Sequence, residues 1–296
     1  FAAIDDNASY NVLGSHYITE NGNEMGRFKG NIAIKSIGNA SGGLEATNVS
    51  CAKDAADQAL FDLGRCGHGF WLQGRTVEVE GNVAVGQANA AFEYMHRGDP
   101  GQNNDIATSY LPFPGIAQNG SFLGPDQPPI RNFANNVAMG SLLGLQVIKG
   151  NPDQGHNQNS ILQNFKSIYN DSGVDLQYTG HYTLRDFTLI GDSETYSSDV
   201  SGGGSYNVAG AMGPNSHDMV VENIRVEKFY YGLMIQDTFD GTPEALKIDI
   251  INPTFVNVSN KYATGWSPPK ATTLKVGQNE VTSVQPLALN FIPNSN

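Results

Sequence analysis

Seven stretches of this sequence can be laid over one another in phase, and that register constrains the fold more than any single motif. They begin at Gly14, Gly69, Ala91, Gly144, Gly173, Gly210 and Gly232, as in Gly69-Phe-Trp-Leu-Gln73 and Gly144-Leu-Gln-Val-Ile148. Each leads into a second strand, a polar turn residue and a third strand. The turn residues are Asn31, Asn82, Asn136, Asn164, Asp186, Asn223 and Asn252. They lie between 22 and 54 residues apart, which fits a coil of about 22 residues carrying insertions of different length. Short strands at such a period predict an all-β chain, a parallel β-solenoid of about seven coils with long loop insertions.

The chemistry of the repeat agrees. Asn and Asp tolerate the left-handed backbone of a sharp corner, and stacked Asn side chains can hydrogen-bond from coil to coil. Apolar residues alternate within each strand, so one face turns inward and only stacking of neighbours can bury it. The coil at Gly210 has a weak first strand by this criterion, and Pro253 weakens the seventh corner. The solenoid is expected over residues 1–270, with residues 271–296 as a C-terminal cap or tail.

Bulk properties narrow the function classes. With 34 Gly, 14 Pro and only 16% charged residues, the chain reads as a loop-rich β protein. Its net charge of −12 disfavours nucleic acid, whose phosphates it would repel. No apolar run is long enough for a membrane helix. The acidic surface suits an extracellular or cell-surface setting and leaves room for calcium, while no cofactor and no resident metal site are indicated. Phe1 follows no initiator Met or signal peptide, as in a segment of a longer precursor. Cys51 and Cys66, 15 residues apart in one insertion, are expected to form a disulfide worth roughly 3 kcal/mol on the chain-entropy model.

Candidate chemistry lies on the outward side of the first strand of each coil. Alternation sends Phe70, Leu72, Phe92, Tyr94, Leu145 and Val147 inward. It sends Ile18, Trp71, Glu93, Gln146, Asp175 and Met234 outward in one column, with Glu20, Gln73, Met95, Ile148, Gln177 and Gln236 in a second. An exposed Trp among carboxylates and amides suits a sugar, whose C–H face stacks on the ring while polar groups take its hydroxyls. Glu93 and Asp175 are two coils apart, hence about 10 Å, near the upper end of the carboxyl spacing in inverting glycosidases. His96 beside them is a candidate acid or base, and Arg75 and Arg97 are candidate anion contacts.

The segment from Val12 to Ile34, with Gly69-Phe-Trp-Leu72, Gly81-Asn-Val-Ala-Val-Gly86 and Phe92-Glu-Tyr94, resembles the family of the cell-migration-inducing hyaluronidase and its secreted bacterial cousins. Pro129 to Met139 is similar to a further coil of the bacterial members. The resemblance spans about residues 10–190. It implies a right-handed parallel β-helix and, for the animal members, hyaluronan cleavage. Ser15-His-Tyr17 stands where the family has Gly-His-Gly, and Glu20-Asn-Gly22 where it has Glu-Asp-Gly. The acidic residues implicated in animal hyaluronan cleavage have no counterpart that can be matched here, so activity does not carry over residue by residue. Two functions therefore stand side by side. One is a β-helix that engages a polysaccharide and, if active, cleaves it as a hydrolase or lyase. The other is a non-catalytic rod of an adhesin, sheath or filament that self-associates end to end.

Overall fold

The computed structural model describes residues 1–37, 67–95, 105–111, 122–148, 158–192, 208–212, 216–235, 246–264, 272–276 and 279–283. Among them there is no α-helix, and the strands form three long sheets. Sheet A holds ten strands, from Ala2–Asp5 to Asn279–Ser283. Sheets B and C hold eight each, from Ala8–Val12 to Thr254–Val256 and from Tyr17–Thr19 to Asn260–Thr264. The chain visits A, B and C in turn, and each strand pairs in parallel with its equivalents one coil before and after. This is a parallel β-helix. At the far end sheet A continues in Thr272–Val276 and finishes with the antiparallel Asn279–Ser283, a reversal that ends the parallel stack.

Eight strands in sheets B and C exceed the seven coils read from the sequence. The extra turns are Ala2–Asp5 with Ala8–Val12, and Asn260–Thr264, whose strands lack the clear apolar alternation of their neighbours. The weak strand at Gly210 is a full strand, Val208–Met212, paired on both sides. Small residues suffice there because Leu233 of the next coil fills the space a side chain at Gly210 would occupy.

The corner between sheets A and B departs from the expected phase by one residue. Asn164, Asp186, Asn223 and Asn252 adopt left-handed backbone, with φ between 50° and 56°. In earlier coils the residue before the Asn does so instead: Gly30, Gly81 and Asn135. Asn31, Asn82 and Asn136 are turned inward and fully buried. They form a ladder with Asn7. The backbone N–H of Asn31 donates to Asn82 Oδ1 at 2.9 Å, and that of Asn82 to Asn136 Oδ1 at 2.9 Å. Each amide also donates to a carbonyl of the preceding coil, Asn31 to Ile4 at 2.7 Å and Asn82 to Phe28 at 2.9 Å. In later coils Phe165, Phe187 and Ile224 take this interior position, with Phe165 and Phe187 in ring contact at 5.3 Å. An exposed ladder runs outside it, Asn164 donating to Asn135 and Asn252 to Asn223. One residue type thus serves two positions, because Asn both accepts φ > 0 and carries a donor and an acceptor.

The core is one column of side chains along the axis. Tyr17, Phe70 and Phe92 stack with centroids 4.7 and 4.8 Å apart, matching the rise between strands, and Phe133 and Phe165 close on Phe92 edge-on. The inward set read from the alternation is in this core.

The three outer faces differ. Sheet A carries ion pairs between coils, among them Arg27–Asp5 at 2.6 Å, Arg131–Glu78 at 2.8 Å and Arg185–Glu222 at 2.8 Å. Sheet B carries two outward columns. One runs Ala8, Ile32, Val83, Val137, Lys166, Thr188, Arg225 and Thr254, and the other Tyr10, Ile34, Val85, Met139, Ile168, Ile190, Glu227 and Val256. Sheet C carries the candidate site.

Candidate functional site

Strands Phe70–Leu72, Ala90–Met95, Leu143–Ile148 and Ser172–Gln177 set the site on sheet C. Their register aligns Trp71 with Glu93, Glu93 with Gln146 and Gln146 with Asp175, so the column expected from alternation exists. A second column aligns Met95 with Ile148 and Ile148 with Gln177.

Exposure is where the face differs from expectation. Trp71 is 0% exposed, Glu93 1% and Gln146 6%. Trp71 is not the open stacking platform the sequence suggested: it packs with Met95 and Ile148 in a small cluster outside the solenoid core. Among the column's residues with described burial, only Ile18, at its start, is exposed. Apolar residues in the second outward column were the signal of a covered face.

Two carboxyl groups share this shielded strip in different settings. Neither oxygen of Glu93 has a hydrogen-bond partner. Burial pushes its carboxyl well above the usual carboxylate range, and the nearby charge of Asp175 pushes it the same way. Asp175 is half-buried, and its Oδ2 accepts from Gln146 Nε2 at 3.0 Å and Gln177 Nε2 at 2.8 Å. Burial raises the Asp175 carboxyl too, but those two donors hold it back by favouring the ionised form. Gln146 and Gln177, expected as sugar contacts, are therefore the groups that position Asp175. The column can keep one carboxyl neutral and its partner closer to ionisation, the arrangement that separates an acid from a base.

Arg75 does not belong to this face. Its side chain is fully buried at the corner leading to sheet A, where Nη1 donates to the carbonyls of Asp126 at 2.7 Å and Pro128 at 2.9 Å. Nη2 donates to the Tyr182 hydroxyl. A guanidinium so engaged tethers the approach to the next coil and is not presented to a ligand. Gln73 is buried as well, with its backbone N–H donating to Thr19 Oγ1 at 2.8 Å. His96, Arg97, Cys51 and Cys66 lie outside the described residues.

His68 flanks Trp71 in the sequence, where a histidine at a corner reads as structural, and it lies just before the strand Phe70–Leu72 of sheet C. It is fully buried against Asn89, and burial drives its imidazole down to about 3. No group of His, Cys, Asp and Glu among the described residues is placed to hold a metal ion. No helix among them is long and apolar enough to cross a membrane.

No family model, curated protein or solved structure matches this chain. What defines the protein is its class, a parallel β-helix with a shielded pair of carboxyl groups on one sheet.

Proposed function

We propose that the protein engages a polysaccharide along the outer face of sheet C, outside the cell or at its surface, and hydrolyses it with Glu93 and Asp175. Glu93 carries the reading. A carboxyl out of water, with both oxygens unpartnered, costs stability as an ion and holds its proton well above the usual carboxylate range. Such a group is retained where a proton must be delivered, and it is a weak structural element.

The chemistry follows from the pair. Glu93 donates its proton to the glycosidic oxygen as that bond breaks. Asp175 takes a proton from the water that attacks the anomeric carbon, and exchange with solvent returns both groups to their starting states. Two rungs of sheet separate their backbones by about 10 Å, which leaves room for that water and predicts inversion at the anomeric centre. Glu93 is buried, so part of the binding energy of a saccharide that reaches it is spent opening the strip. The family resemblance points to hyaluronan-like polymers, whereas the net charge of −12 favours a neutral chain. The test is the size distribution of hyaluronan and of neutral and acidic polysaccharides after incubation. Shortening that Glu93→Gln and Asp175→Asn each abolish supports the reading; unaltered polymers across the panel overturn hydrolysis.

A second reading, a non-catalytic rod, is favoured by the burial of Trp71. A covered ring holds a solenoid together as readily as it hides a site. Retention of a glycan without shortening would leave engagement standing. Neither retention nor shortening would favour the rod.

A further inference from the structure

Sheets A, B and C present three chemistries to their surroundings, and among the described residues only sheet B leaves a large apolar surface open. Tyr10 is 68% exposed, Ile32 39%, Ile34 37% and Met139 39%. Val83 and Val85 join them across successive coils, so the exposed atoms are continuous along both columns. Sheet A, at the same distance from the core, covers its outer positions with ion pairs. We infer that the outer face of sheet B is where a second copy of this chain docks, face to face.

Three observations select a second copy over another occupant. The first is area. The apolar columns and their flanking corner offer on the order of 600 Å² per copy, so two copies would bury about 1,200 Å², the lower end of specific interfaces. A patch this large is at the top of what a lone soluble chain leaves uncovered.

The second is charge. The chain has a net charge of −12, yet the only acidic residue in either column among the described residues is Glu227, at the far end, where it is ion-paired with Arg225 of the other column. The other ionisable groups in or beside the columns are Lys35, Lys166 and Lys228. Two strongly acidic copies therefore meet with least repulsion along this face. The third is shape. Every strand of sheet B except those at its two ends is paired on both sides, so docking proceeds through side chains and not by edge pairing. Such packing of two flat sheets is closed and isologous, the same columns serving both partners.

The inference stands on sheet B alone and is independent of the chemistry on sheet C. Sedimentation velocity of the whole chain from about 1 to 200 μM tests it, in the affinity range common for interfaces of this size. The expected result is a concentration-dependent doubling of mass. The double variant Ile34→Lys, Val85→Lys should remain monomeric at every concentration while keeping the wild-type circular dichroism melt. Both positions point outward, and Ile32→Lys with Met139→Lys serves as a second pair if the first lowers the melt. Ile161→Lys on sheet A, an exposed apolar position, should leave the doubling intact. A wild-type monomer across the range, or an assembly that survives both lysine pairs, would overturn the inference. Polysaccharide shortening by the monomeric variants should equal that of the wild type, so failure here and failure on sheet C can be told apart.

Discussion

Glu93 and His68 pull the pH dependence of stability in opposite directions, and removing one should expose the other. Glu93 titrates above its ordinary 4.5 in the fold. Above pH 4.5 the unfolded chain releases this proton and the folded chain keeps it. Stability then falls with rising pH by about 1.4 kcal/mol per unit until Glu93 itself ionises. His68 behaves in the reverse sense. Its imidazole is driven from 6.5 down to about 3, so below pH 6.5 the unfolded chain gains a proton that the fold refuses. Stability then falls with decreasing pH at the same rate, in total by about 5 kcal/mol.

Above pH 4.5 the two slopes oppose each other for as long as Glu93 keeps its proton, and below pH 4.5 only the acid decline from His68 is left. Asp175 and Asp171, also raised, add to the alkaline decline, and His16, lowered, adds to the acid one. Glu93→Gln removes one arm. Relative to wild type, the variant should gain about 1.4 kcal/mol for each unit above pH 4.5 over which Glu93 keeps its proton. Urea melts of both proteins at half-unit steps from pH 4 to 8 measure this difference directly. Parallel curves, with a difference independent of pH, would mean that Glu93 is already ionised in the fold. The proton-donor assignment would fall with it.

Three further outcomes follow from the packing. Asn82→Ala removes the acceptor of the Asn31 N–H and strands that donor in the interior, so it should cost about 3 kcal/mol, whereas Asn164→Ala on the exposed ladder should cost only about 1, both read from urea midpoints. Phe70→Ala opens the centre of the aromatic stack and should cost about 4 kcal/mol by the same measurement. In a Trp266→Phe background, Trp71 emission should be blue-shifted and protected from acrylamide, because its ring is shielded; ready quenching would contradict the covered face.

Much of the fold was legible because a solenoid repeats its physics. The alternation at Phe70-Trp-Leu72 and Leu145-Gln-Val147 placed inward and outward residues correctly, since a strand has period two wherever it lies. The corner was harder. Asn82 and Asn164 looked equivalent, yet one is a buried rung and the other a left-handed turn, separated by one residue of register. No local property of Asn distinguishes them; the partners in the next coil do.

The candidate site divides in the same way. The sequence by itself determined the class of fold and the column in which Trp71, Glu93, Gln146 and Asp175 follow one another, because parallel stacking carries each alternation from coil to coil. Tertiary structure alone decided that Trp71 is shielded, that Arg75 is engaged away from the face, and that Gln146 and Gln177 hold Asp175. It also decided that sheet B is left open to water. Alternation distinguishes the two sides of a strand, but whether the outer side meets solvent depends on what else the chain brings against it, and that is a property of the whole packed molecule.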